Sequence, residues 1–109
     1  MRRFFSNVLI ILITLGFSLS LWAGEALWID VRTADEYGKG HVSEAINIPY
    51  EEIAGRIGEA TTDKDALIYV YCRSGRRSGI AQSSLQEAGF SNVVNVGGFE
   101  DAKKKAADK

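Results

Sequence analysis

The sequence predicts an α/β fold: one small domain with a mainly parallel central sheet flanked by helices. Short apolar runs alternate with helix-like stretches across brief polar or glycine-containing loops. The run Ala66 to Tyr71 lacks polar alternation, as suits a strand covered on both faces of a parallel sheet. That strand runs directly into a turn carrying the only cysteine, and a helical pattern follows the turn.

Taken in order, Leu27-Trp28-Ile29-Asp30-Val31 reads as the first strand. Thr33 and Glu36 then form the Thr-x-x-Glu spacing of a capping box, which predicts a helix start that Gly38 and Gly40 soon end. Ala45-Ile46-Asn47-Ile48 is a second strand, closed by Pro49, which has no N–H to donate. Tyr50 to Glu59 is helical in pattern, with Ile53 and Ile57 forming its apolar stripe and Gly55 and Gly58 weakening it. Thr61 to Asp65 is a polar loop before the strand at 66–71. The helix after the cysteine turn is expected to put Ile80, Ala81, Ser84, Leu85 and Ala88 on one face, with Gly89 just past its end. Asn92 to Val96 is the last clear strand, and Gly97-Gly98-Phe99 follows it. The stretch Glu100 to Lys109 reads as a short lysine-rich tail that leaves one side of the fold thinly covered.

The first 23 residues read as a separate segment. Arg2 and Arg3 form a basic start, Val8 to Leu15 is almost wholly aliphatic, and Leu21-Trp22-Ala23 ends in a small residue before Gly24-Glu25. This order predicts a secretory signal peptide cleaved after Ala23, and hence a periplasmic protein. The alternative is an uncleaved anchor, because Phe4 to Ala23 carries no charge. Residues 24–109 would then be a single domain. Without Arg2 and Arg3, eleven cationic side chains face fourteen carboxylates, a net charge near −3. That balance argues against a nucleic-acid partner. Lys103-Lys104-Lys105 reads as a solvated cluster.

A single cysteine forms no intrachain disulfide, so the core must hold without one. A lone thiol in an oxidising compartment also calls for a reason. Cys72 sits in Cys72-Arg73-Ser74-Gly75-Arg76-Arg77-Ser78, at the carboxyl end of a strand, where open parallel sheets place their sites. Residues 73–77, with Gly75 permitting unusual dihedrals, can curl their N–H groups inward into an anion-binding nest at the start of the next helix. Such a nest, and Arg73, Arg76 and Arg77 if close, would lower the thiol pKa and favour the nucleophilic thiolate. The bland alternative is a cysteine that serves as a small buried hydrophobe. Cysteine phosphatases use a Cys-x5-Arg loop; here Cys72 to Arg77 is one residue shorter, a cradle better matched to a sulfur atom carried on the cysteine.

The loop Cys72 to Ser78 resembles the active-site loop of the rhodanese family. Trp28-Ile29-Asp30-Val31-Arg32 with Glu36-Tyr37, Gly40-His41-Val42, Ala45-Ile46-Asn47-Ile48-Pro49 and Gly97-Gly98-Phe99 resemble the family's other landmarks, in order, over residues 27–99. The resemblance implies a rhodanese-like domain and a thiosulfate sulfurtransferase working through a Cys72 persulfide by a ping-pong route. Cyanide would be the acceptor in the assay. It implies Arg77 as the contact for a small anionic donor such as thiosulfate, and more weakly Arg73, Ser74, Gly75 and Arg76. It implies no metal and no other cofactor. Nothing in the sequence calls for an obligate interface, so a monomer is expected. The alternative from another class is a non-turnover persulfide carrier or thiol sensor that docks to a partner protein; a small phosphatase or arsenate reductase is disfavoured by loop length.

Three further residues carry expectations. Asp30 is expected to bond nearby backbone amides, although its strand end could reach the pocket. Arg32 and Glu36, four apart, are expected to pair. His41 is expected to be structural, because a reaction that starts from a thiolate needs no histidine base, and one histidine with one cysteine is a poor metal site.

Overall fold

The computed structural model describes residues 25–108, so the expected signal peptide lies outside the described residues. Four strands form one parallel sheet: β1 (Leu27–Asp30), β2 (Ile46–Asn47), β3 (Ile68–Tyr71) and β4 (Val93–Gly97), in the order β2-β1-β3-β4. The central pair is in register from Leu27 against Ile68 to Asp30 against Tyr71. Residues 27–30 and 68–71 therefore end at the same edge, and Cys72 follows at that edge. β4 is bulged: Val70 faces Asn95 but Tyr71 faces Gly97, so Val96 is the extra residue. Such a bulge re-aims a strand end, and it occurs often beside active sites.

Helices cover both faces. On one, α2 (Ile53–Arg56) and α3 (Arg76–Glu87) enclose Ile29, Val31, Ile68, Val70, Leu85 and Cys72, all essentially buried. On the other, α4 (Phe99–Ala107) packs Ala102 and Phe99 against Trp28, Tyr71, Val42 and Ala45. The short helix α1 (Ala34–Gly38) starts at the predicted capping box. The Thr33 hydroxyl accepts from the Glu36 amide at 3.1 Å, and the Glu36 carboxylate accepts from the Thr33 amide at 3.0 Å.

Several expectations are corrected. Residues 50–59 are not one helix: α2 is four residues long between the 3-10 turns Tyr50–Glu52 and Ile57–Glu59, although Ile53 and Ile57 do face the core. Helix α3 begins at Arg76, directly after Gly75, so its fully buried stripe is Ser78, Ala81 and Leu85. Ile80 then lies about 100° around the helix from Ala81 and is 43% exposed, not part of the core face. The residues after Phe99 are no tail. Phe99–Ala107 is a nine-residue helix with Glu100 and Asp101 in its first turn and Lys104 and Lys105 in its last, both matched to the macrodipole. Its lysines are exposed as expected, and two also lie over rings: Lys103 Nζ 4.7 Å from the Phe99 ring centre and Lys105 Nζ 4.8 Å from that of Tyr69. The apolar stripe of this helix is mostly small alanine, which is why hydropathy alone left it unseen. A cleft of about 470 Å³ remains between Lys105, Tyr69, Trp28 and Leu67, at the amino ends of the strands and so opposite Cys72. No helix among the described residues is long and apolar enough to cross a membrane.

Candidate active site

Cys72 leaves β3 with its amide donating to the Gly97 carbonyl at 3.0 Å and its side chain 1% exposed as a residue. The chain then turns at Gly75, whose φ of 102° lies in the left-handed region that an L-side chain adopts at a cost. That turn brings the Gly75 amide back to donate to Cys72 Sγ at 2.9 Å. The far side of the loop is braced by β4. Ser74 bridges to Gly98, and a Cβ at Gly98 would sit 2.6 Å from the Arg73 carbonyl oxygen. Glycine at 98 is thus required by the close approach of two backbones, and glycine at 97 by its φ of 109°.

Burial alone would push the Cys72 thiol up. The Ser78 hydroxyl and the amides of Ser78, Ser74 and Gly75 outweigh it and hold the thiol at about 7, well below its ordinary value near 9. Hydrogen-bond donors of the loop, more than guanidinium charge, are the leading cause of this lowering. A thiol so poised is about half thiolate near neutral pH. The structure brings together Cys72, Gly75 and the amide of Ser74 as the loop predicts. Arg73 and Arg76 are exposed on its rim.

Arg77 is half-buried and points its guanidinium at Glu36 of α1, with Nη1 and Nη2 at 2.8 and 3.0 Å from the two carboxylate oxygens. This bidentate pair depresses the Glu36 carboxyl to about 2, the Arg77 hydrogen bonds outweighing the upward push of burial. Cys72 in turn acts on the Arg77 charge, which places the two within electrostatic reach. The expected Arg32–Glu36 pair does not form. Arg32 turns inward instead and binds Asp30 through Nε and Nη2, the shortest contact being 2.6 Å, with both side chains buried. It also donates to the Gly40 carbonyl and lies over the Phe99 ring at 4.5 Å. Asp30 does accept a backbone amide, that of Arg32 at 2.9 Å, and its carboxylate also faces the Tyr71 hydroxyl. His41 stacks on Tyr37 with ring centres 3.6 Å apart, and its Nδ1 lies 2.8 Å from the Tyr37 carbonyl oxygen. Among the described residues, no three of His, Cys, Asp and Glu gather as a metal site would need.

Sequence reasoning missed two residues of this site. Ser78 is fully buried with its Oγ 3.5 Å from Cys72 Sγ, and Asn95 of β4 lies 2.7 Å from that Oγ through its Oδ1. A signal for both was present. Asn95 is the one polar side chain inside the run Val93 to Val96, and a polar group within a buried strand needs a partner.

Comparison with known proteins agrees with this geometry. The model of the rhodanese-like domain family matches residues 17–105. Thiosulfate sulfurtransferase PspE of Escherichia coli is 46% identical over 89 residues, covering 82% of this chain and 85% of the relative. The putative sulfur carrier protein YrkF of Bacillus subtilis is 38% identical over 68 residues, 62% of this chain but 36% of that longer protein. Among solved structures, a rhodanese with anions from E. coli superposes with a TM-score of 0.68 at 45% identity, covering 71% of this chain and 91% of the other. The chain belongs to the family of rhodanese-like domains.

Proposed function

We propose that this chain is a thiosulfate sulfurtransferase with Cys72 as its nucleophile. The Cys72 thiolate attacks the outer sulfur of thiosulfate; the sulfur–sulfur bond breaks, and sulfite leaves with the electron pair. A Cys72 persulfide anion remains. Cyanide carbon then attacks the outer sulfur, thiocyanate leaves, and the thiolate is restored, so the two half-reactions follow a ping-pong scheme. The observation that carries this reading is the sulfur of Cys72 inside a ring of donors that holds its thiol near 7. The same preorganised amides suit the negative sulfur of the persulfide. Arg77 is the candidate contact for the donor's sulfonate end, with Arg73 and Arg76 on the rim as an attractive field for an anion. No cofactor is called for, because the sulfur is carried on the cysteine.

Purified protein should release thiocyanate from thiosulfate and cyanide with parallel-line kinetics, and Cys72→Ser should abolish this while remaining folded. Alkylation of Cys72 should rise through pH 6 to 8 with a midpoint near 7. A folded, inactive wild-type protein would favour the second reading, a persulfide carrier, to which the likeness to a putative sulfur carrier lends support. Activity on an aryl phosphate would revive the phosphatase reading. We further propose that residues 1–23 direct export to the periplasm and are removed after Ala23, and that the domain is a monomer. Intact mass and N-terminal sequence of the exported protein test the first, and sedimentation equilibrium tests the second.

A further inference from the structure

The Ser78 hydroxyl has one proton and four acceptors in reach: Asn95 Oδ1 at 2.7 Å, the Gly75 carbonyl at 3.1 Å, and Cys72 Sγ and the Gly97 carbonyl at 3.5 Å. Which of them takes the proton depends on the Asn95 carboxamide. Its orientation is set by two backbone groups: Nδ2 donates to the Gly75 carbonyl at 3.1 Å, and Oδ1 accepts from the Gly97 amide at 3.0 Å. Flipping the amide would set its N–H2 against an N–H and its oxygen against a carbonyl, so the flip is excluded. Oδ1 therefore always faces Ser78, as the nearest acceptor.

We infer that Asn95 is a positioning residue that sets the direction of the Ser78 hydroxyl and, through it, how readily Cys72 holds its thiolate. With a neutral thiol, the hydroxyl donates to Asn95 Oδ1 and turns a lone pair to Cys72. When the thiol proton leaves to solvent, the hydroxyl swings to donate to Sγ, and Asn95 Oδ1 keeps the Gly97 amide. Asn95 thus competes with the sulfur for one proton, whereas Ser78 supplies it. The inference rests on Cys72 being the nucleophile proposed above. The charged and titratable groups around the loop are Arg73, Arg76 and Arg77, Glu36 upon Arg77, Tyr50 beside Arg77, and the closed Asp30–Arg32 pair. Substitution at Ser78 or Asn95 replaces none of them.

The two residues must act with opposite sign, which a merely structural role would not produce. The measurement is the pH midpoint of Cys72 alkylation in the purified chain, unambiguous because there is one cysteine. Ser78→Ala removes a hydrogen bond to a charged sulfur and should raise the midpoint by about one pH unit. Asn95→Leu removes the nearest acceptor competing with the sulfur and should lower it by about half a unit. The double variant should match Ser78→Ala alone, because the effect inferred for Asn95 on the thiolate passes through that hydroxyl. An Asn95→Leu midpoint that is unchanged or raised, or a double variant that departs from Ser78→Ala, overturns the inference. Should Asn95→Leu fold poorly, the native chain answers the question: the Asn95 side-chain carbonyl carbon resonance must titrate with the Cys72 midpoint and be static in Cys72→Ala. A static resonance in the native chain is equally fatal. Thiocyanate release is read separately. Its absence alongside the opposed midpoints would remove the enzyme reading and leave this one, and normal turnover without them would do the reverse.

Discussion

Two arginine–carboxylate pairs sit at the carboxyl end of the sheet, and they differ in what surrounds them. Asp30 and Arg32 are sealed: their side chains are 0% and 7% exposed, the guanidinium is capped by the Gly40 carbonyl, and aromatic rings of Tyr71 and Phe99 lie beside it. Glu36 and Arg77 have the same bidentate chemistry but are 27% and 18% exposed, and Arg77 is within electrostatic reach of the thiol. Water and a solute anion can reach the second pair and not the first. The lesson is that ion-pair geometry does not single out Arg77 as the candidate anion contact. Burial does, because an arginine that must exchange one anion for another needs solvent at its side.

The largest expected effect comes from opening the sealed pair. Asp30→Ala leaves an uncompensated buried guanidinium and should destabilise the domain by about 3–5 kcal/mol, read from urea unfolding. A loss below about 1 kcal/mol would mean that the pair is not closed in solution. Next is Arg77→Met. It should raise the KM for thiosulfate about tenfold, the loss of one charged hydrogen bond, with much less effect on unfolding. An unchanged KM would remove Arg77 from the site and sharpen interest in Arg73 and Arg76.

Smaller still is Glu36→Gln. It frees Arg77 from a competing carboxylate and should lower the thiosulfate KM two- to threefold, by about 0.5 kcal/mol, at a stability cost near 1 kcal/mol. The same variant has a pH signature. Glu36 titrates lower in the fold, about 2 against its ordinary 4.5, so its contribution is present above 4.5 and is lost as pH falls toward 2. Wild type and Glu36→Gln should therefore converge in stability over that window. A gap that stays constant down to pH 2 would show that the pair contributes nothing through charge.

Much of the fold was legible in the residues themselves. Strand apolarity, the Thr33–Glu36 box and the strand–turn–helix order around Cys72 are local signals, set by neighbours within a few positions, and the structure bears them out. Helix α4 was not legible, because its buried stripe is mostly alanine and nothing local marks Tyr69 and Phe99 as partners of its lysines. The same reason explains the partner errors. Arg32 and Glu36 have helix-pair spacing, yet Arg32 turns back onto Asp30 two residues away, and only the position of α3 shows that Glu36 meets Arg77.

The sequence by itself determined the parallel α/β class, the loop of Cys72 and its unusual glycine, because these depend on backbone preference and apolar pattern along a few consecutive residues. Tertiary structure alone decided what stands behind the hydroxyl that faces the sulfur. Ser78 and Asn95 are 17 residues apart and meet because strand alternation puts Asn95, like Val93, on the sheet face that α3 covers. A hydrogen bond is decided by tenths of an ångström across the fold, and spacing along the chain does not encode that distance.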